Sequence, residues 1–278
     1  MNKQTKPQST IKIDKRERVY KINYSSPGLV VVFNYMTFKK FDVEDREFTR
    51  HGSEKDVKRI KEVFGTKLKF QVKVHLDFTR EQTDDAIDKY AKEEYQGDVC
   101  FICFILSHGF KEGFRSSDFQ EIYFADIEKP IKLNKSLINK PKMFFIQACR
   151  GIYYMPNPNQ SQTGNTGAFA SQPCDTNGNP LVRLPVAAET DFFKFSATVE
   201  GYIAVNHYEG SPFIQILCTV IDKEPGLEIE SIKKKVTQII AELPIEMNLP
   251  GETESSKVGV VPQSNNATLT KQFYFKVY

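Results

Sequence analysis

The sequence predicts an α/β fold: a mostly parallel sheet with helices on its faces. Two observations carry this. From Gly28 onward, short apolar runs of strand length alternate with stretches that carry apolar residues at helical spacing. Two of those runs, 99–106 and 143–146, are continuously apolar, and each leads within a few residues to a chemically reactive side chain. Sites in open α/β sheets gather beyond the carboxyl ends of the strands, so the reactive residues sit where the fold class would put them.

The elements follow in order. Residues 29–33 read as a buried strand, and 53–64 as a helix on Val57, Ile60 and Val63 with Ser53 as N-cap. A second strand spans 70–76. Thr79-Arg80-Glu81-Gln82 has the form of a capping box opening a helix to about residue 95. Strand 99–106 is followed by a polar excursion over 111–124, a helix-like stretch near 131–139 and strand 143–146. After a polar interval come strand 192–195, a helix from Ser211 (N-cap) and Pro212 (first turn) to about 221, and a helix over 230–243. The last expected strand is 272–277, where Phe273, Phe275 and Val277 alternate with Tyr274, Lys276 and Tyr278. An edge with that much apolar surface would invite pairing with another chain.

Composition narrows the function. With 278 residues and 40% apolar content the chain can bury a large core in one or two domains. A net charge of +3 gives no reason to expect nucleic acid or an anionic membrane as partner. No apolar run approaches the ~18 residues of a membrane span, and the first residues carry no secretory pattern. Five scattered cysteines in such a chain read as free thiols of a reducing cytoplasm. No cofactor or metal is called for by any motif.

The chemistry lies in Ser107-His108-Gly109 and, 40 residues on, Gln147-Ala148-Cys149-Arg150-Gly151. A thiol near its free pKa of ~8.5 is mostly protonated at neutral pH and needs a neighbouring imidazole to become a nucleophile. Gly109 lets a backbone N–H approach a substrate oxygen, and with the N–H of Cys149 it would form an oxyanion hole. This pairing reads as a cysteine peptidase, with His108 before Cys149 and so not in the papain order. Of the other histidines, His75 lies inside a strand pattern and reads as packed, while His51 and His207 fall in loops near the expected cleft. Cys100 and Cys103 have C-x-x-C spacing, but residues three apart on a strand face opposite ways, so burial is the simpler reading. Cys218 reads as helix core, and nothing marks Cys174.

The motif Gln147-Ala148-Cys149-Arg150-Gly151 fits the caspase signature, with its histidine upstream at nearly the family's distance. From about Val19 onward, blocks such as Tyr20-Lys21-Ile22-Asn23-Tyr24, Asp77-Phe78-Thr79-Arg80-Glu81, Phe213-Ile214-Gln215 and Leu269-Thr270-Lys271-Gln272-Phe273-Tyr274-Phe275 extend the likeness. The chain resembles a caspase of the executioner type. The resemblance implies a caspase-like sandwich with a six-stranded central sheet, cleavage of protein substrates after aspartate in apoptosis or a related cascade, and no cofactor. It also implies a short basic, disordered prodomain (1–18), a large-subunit-like region (19–151), a flexible linker (152–190) and a small-subunit-like region (191–278). Asp175, the one aspartate of that linker, would be the processing site. Strand 272–277 would pair across a two-fold axis in a homodimer or in a heterodimer with another caspase, and inhibitor proteins are possible partners. The imidazole would be oriented by a backbone carbonyl near Phe48.

One part of the pattern is missing. Caspases hold the substrate aspartate with two arginines and the signature glutamine, a task suited to the planar guanidinium fork. Arg50 and Gln147 match, but Asn206 stands where the second arginine belongs, in Ala204-Val205-Asn206-His207, and no arginine occurs after Arg183. The chain also has no tryptophan. A weakened or altered aspartate preference follows. The alternative function is a catalytically impaired decoy or regulator that binds an active caspase.

Overall fold

The computed structural model describes residues 18–40, 43–44, 48–97, 99–153, 155–156, 189–243, 245–248, 255–264 and 267–276. Asp175, Cys174, most of the expected linker and all but one residue of the expected prodomain lie outside these. The centre is a six-stranded sheet of β1 (Gly28–Asn34), β2 (Gln71–Leu76), β3 (Cys100–Leu106), β4 (Lys142–Gln147), β5 (Phe192–Ser196) and β6 (Gln263–Ser264), in the order β6-β5-β4-β3-β1-β2. Neighbours from β2 to β5 run parallel, and only β6 is antiparallel. Strands β3 and β4 are buried along their whole length, which is why their sequences are apolar without alternation.

Helices cover both faces. On one, α1 (Ser53–Ile60), α4 (Pro212–Lys223) and α5 (Ile229–Ala241) pack Ile60, Ile214, Leu217, Ile232 and Val236 against Val30, Ile102, Phe104 and Phe145. On the other, α2 (Arg80–Lys92) and α3 (Phe124–Lys132) set Ile87, Tyr90, Ile127 and Ile131 against Val31, Phe101, Ile105 and Phe144. Cys100 and Cys103 fall in these two separate cores, as the strand period requires, and both are fully buried. His75 is packed, its ring stacked on Phe33 at 5.0 Å with Nε2 at 2.8 Å from the Tyr90 hydroxyl.

Several expectations need correction. Ser53 is not the cap of α1: Gly52 holds the N-cap position at φ 90°, a left-handed conformation open to glycine, and Ser53 is the first helical residue. The helix does not stop near Phe64 but runs on as a π-helical segment over Lys61–Lys67. The helix expected near 131–139 begins earlier, at Phe124, carries Pro130 within it, and is followed by a short 3₁₀ turn, Lys135–Leu137. The polar excursion 111–124 is a small antiparallel sheet of Gly109–Phe110, Gly113–Arg115 and Glu121–Tyr123. By contrast the Thr79 capping box is present, with Gln82 N–H donating to Thr79 Oγ1 and Thr79 N–H to Gln82 Oε1.

The largest correction concerns the C-terminus. Residues 272–276, the described part of the expected last strand, form no strand of the sheet. Among the described residues Gln272 and Tyr274 make single bridges to Val19 and Glu228, while Phe273 and Phe275 are buried beside Phe64. The alternation is real but serves the core. The edge of the sheet next to β5 belongs instead to β6, a short polar strand paired to β5 through Phe195–Ser264 and Ser196–Gln263.

A buried cation inside β4 has a measurable consequence. Lys142 is 1% exposed, and its ammonium donates to the carbonyls of Leu137 (3.0 Å) and Lys140 (2.9 Å). Burial pushes its pKa from 10.5 down to about 8. Between those values the unfolded chain holds a proton that the folded chain has released, so this group makes the fold more stable as pH rises from about 8 to about 10.5. Urea unfolding of the wild type and Lys142→Met across that window is expected to show a pH-dependent gain in the wild type that the variant lacks.

Candidate active site

Parallel pairing sets the site. Leu106 is opposite Gln147, and the ladder extends one step further as Ser107 N–H donates to the Gln147 carbonyl at 3.1 Å. His108 and Cys149 therefore leave the sheet from adjacent strand tips at the same level. The backbones touch: a Cβ on Gly109 would lie 2.2 Å from the Cys149 carbonyl oxygen and 3.1 Å from the Cys149 nitrogen. Only a residue without a side chain fits there.

The imidazole is held by one strong contact. His108 Nε2 lies 2.7 Å from the carbonyl oxygen of Phe48. A carbonyl only accepts, so Nε2 carries the hydrogen and Nδ1 keeps its lone pair. The rings of Phe38 (4.9 Å) and Phe48 (5.7 Å) pack against the histidine. Burial pushes its pKa below the ordinary value; the Phe48 carbonyl opposes this, and the charge of Arg50 adds to it. Burial likewise raises the Cys149 thiol, against the Ala204 backbone and Arg50, which favour the thiolate. Both shifts favour a neutral thiol beside a neutral imidazole at rest.

The sulfur is fixed by the segment that carries Asn206, through a contact at Ala204 that no residue pattern foretold. The Ala204 N–H donates to Cys149 Sγ at 3.3 Å, and Sγ lies 3.6 Å from the Ala204 carbonyl. That segment is tied to the signature motif by the bonds Arg150 N–H to Tyr202 O (2.9 Å) and Gly201 N–H to Arg150 O (2.8 Å). Gly201 has φ 93°, and a Cβ on Gly151 would strike its carbonyl at 2.2 Å, so two glycines allow the two backbones to meet. The Arg150 side chain adds contacts to Gln263 Oε1 (3.2 Å) and Glu200 (3.3 Å).

The residues matched to the substrate pocket converge. Arg50 is 3% exposed, with Nη1 donating to Tyr35 O at 3.1 Å. Gln147 Nε2 donates to Val205 O (2.9 Å), and Asn206 Nδ2 donates to His51 O (2.8 Å). Loops 50–52, 147–149 and 204–207 are thereby joined. The other two loop histidines face outward: His51 is exposed and stacked on Tyr208, and exposed His207 accepts the Glu209 N–H at Nδ1 (3.2 Å).

One participant was not foreseen. Asp56 of α1 is fully buried and accepts from Ser211 N–H (2.9 Å), Ser211 Oγ (2.7 Å) and Gln215 Nε2 (2.7 Å). It is the foremost charge acting on Arg50, whose pKa burial lowers to about 10. Ser211 thus occupies the N-cap position of α4, as expected, but gives its hydroxyl to Asp56 rather than to its own helix. A single aspartate in an amphipathic helix reads as a solvent-facing residue, so no sequence signal marked it.

A thiol and an imidazole on neighbouring tips of a parallel sheet define a cysteine peptidase of the sheet-based, histidine-first class. The comparisons agree. The caspase domain family model matches residues 27–274. Caspase-7 of Gallus gallus is 32% identical over 268 residues, covering 92% of this chain and 79% of that protein. Caspase-3 of Felis catus is 32% identical over 214 residues, covering 73% and 68%. The crystal structure of caspase-1 from Spodoptera frugiperda superposes with a TM-score of 0.76 at 24% identity, over 96% of this chain and 98% of that one, a likeness of fold. The chain belongs to the caspase family, and it is a caspase-like cysteine endopeptidase.

Proposed function

We propose that the chain cleaves protein substrates in apoptosis or a related proteolytic cascade, with Cys149 as nucleophile and His108 as its proton carrier. The close approach of the Gly109 and Cys149 backbones carries the reading, because the two residues expected to supply the oxyanion donors adjoin one another. The thiol proton passes to His108 Nδ1 as sulfur attacks the peptide carbonyl carbon. The oxyanion is held by the N–H groups of Gly109 and Cys149. On collapse the C–N bond breaks, His108 gives its proton to the departing amine, and water then hydrolyses the thioester. Arg50, Gln147 and Asn206 line the pocket for the substrate side chain, with an aspartate preference altered by the asparagine.

Assembly through the β6 edge would give a homodimer or a heterodimer with another caspase, and Asp175 remains the expected processing position. Among the described residues no helix is long and apolar enough to cross a membrane, which fits the expected cytoplasmic setting.

A peptidyl halomethyl ketone tests the nucleophile. Cys100, Cys103 and Cys218 are fully buried, and burial pushes their thiols far up, so they should not compete. Stoichiometric labelling at Cys149, located by peptide mass spectrometry and proportional to lost turnover, is expected. Full inactivation with label elsewhere would reassign the nucleophile.

A further inference from the structure

Three buried polar atoms in the pocket loops have no partner among the described residues: Nη2 of Arg50, Oε1 of Gln147 and Oδ1 of Asn206. Neither amide is free to turn. Gln147 Nε2 is committed to Val205 O and Asn206 Nδ2 to His51 O, and reversing either would set oxygen against oxygen. These three residues therefore hold one unspent donor and two unspent acceptors. Arg50 also feels the buried side chain of Asp56, the foremost charge acting on it.

An aspartate side chain has only acceptors. It would satisfy Arg50 Nη2 but turn a carboxylate toward the two amide oxygens, or force the amides round and strip the carbonyls of Val205 and His51 of their donors. A carboxamide matches all three atoms, its oxygen accepting from Nη2 and its NH₂ donating to Oε1 and Oδ1. We propose that this pocket takes an uncharged carboxamide, asparagine above all, immediately before the scissile bond, at least as well as it takes aspartate. The inference rests on the reading of Arg50, Gln147 and Asn206 as the substrate pocket. A second arginine at position 206 would supply donors where this chain presents an oxygen, so the single residue Asn206 sets the preference. Sites that hydrogen-bond a particular polar pattern reject a mismatched isostere strongly, because their own buried groups are left unpaired.

The test is a set of fluorogenic peptides identical except for Asp, Asn, Glu or Gln before the reporter. The expected result is kcat/KM for the Asn peptide equal to or above that for Asp, and a shift of at least tenfold toward Asp in Asn206→Arg. An Asp peptide cut tenfold or more faster than the Asn peptide by the wild type overturns the proposal, whether or not Asn206→Arg folds. Binding of the same peptides to Cys149→Ala, followed by calorimetry, separates pocket from chemistry. Equal or tighter binding of the Asn peptide, without turnover by the wild type, upholds the pocket and overturns the assignment of the nucleophile. Tenfold tighter binding of the Asp peptide, or binding of neither, overturns the pocket.

Discussion

Cys149→Ala is expected to abolish peptide turnover, lowering kcat by at least ~10⁴-fold, with His108→Ala falling to a similar floor. The two groups act as a unit: without the sulfur no bond to the substrate carbon can form, and without Nδ1 the thiol, held up by burial, keeps its proton. The double variant is therefore expected to be hardly worse than either single one, as for other catalytic constellations. Steady-state kinetics on the three purified proteins checks this. A Cys149→Ala protein that retained wild-type turnover would end the proteolytic assignment. Identical cellular effects of wild type and Cys149→Ala would instead favour the decoy. The pH profile supplies a separate check. Because burial holds the His108 pKa below its ordinary 6.5, the acid limb of kcat/KM attributable to the imidazole is expected below pH 6.5, where the ring gains a proton and can no longer accept one from the thiol.

Asp56→Ala is expected to cost about 3–5 kcal/mol of stability, because each buried donor left unsatisfied costs about 1–3 kcal/mol. The variant strands the Ser211 N–H and hydroxyl and the Gln215 amide, and removes the foremost charge acting on the buried Arg50 guanidinium. Against a total of ~5–15 kcal/mol for an ordinary domain, that is a large share. Urea denaturation should show the loss as a lower midpoint with an unchanged slope. Because Asp56 also ties the start of α4 to α1, close to the pocket loop, KM should rise in whatever protein remains folded. Arg50→Met combined with Asp56→Ala is expected to cost less than the sum of the two, since the second change removes a charge that the first left unpaired. Strict additivity would show that the two side chains do not share one network.

Much of the central sheet was legible because its signals are local. Continuous apolar runs mark β3 and β4, and the Thr79 and Gln82 side chains satisfy each other within four residues. Errors arose where a local pattern was correct but its partner was remote. The alternation of Phe273 and Phe275 fitted a strand, yet those rings are used to fill the core beside Phe64. The helix expected near 131–139 instead starts at Phe124 and carries Pro130 within its length, because Ile127 and Ile131 pack on the sheet. Ser53 looked like a cap, but the left-handed turn at Gly52 had already taken that place.

By itself the sequence determined the alternating α/β order, the two strands that end on His108 and Cys149, and the lack of any arginine after Arg183. Those facts are written in residue identity and spacing along the chain. Only the tertiary structure decided that Ala204 holds the sulfur, that Asp56 acts on Arg50, and that the amides of Gln147 and Asn206 are locked with their oxygens unpaired among the described residues. Those contacts join residues brought together by packing across the sheet, and hydrogen-bond direction and desolvation depend on that packing rather than on any pattern along the chain.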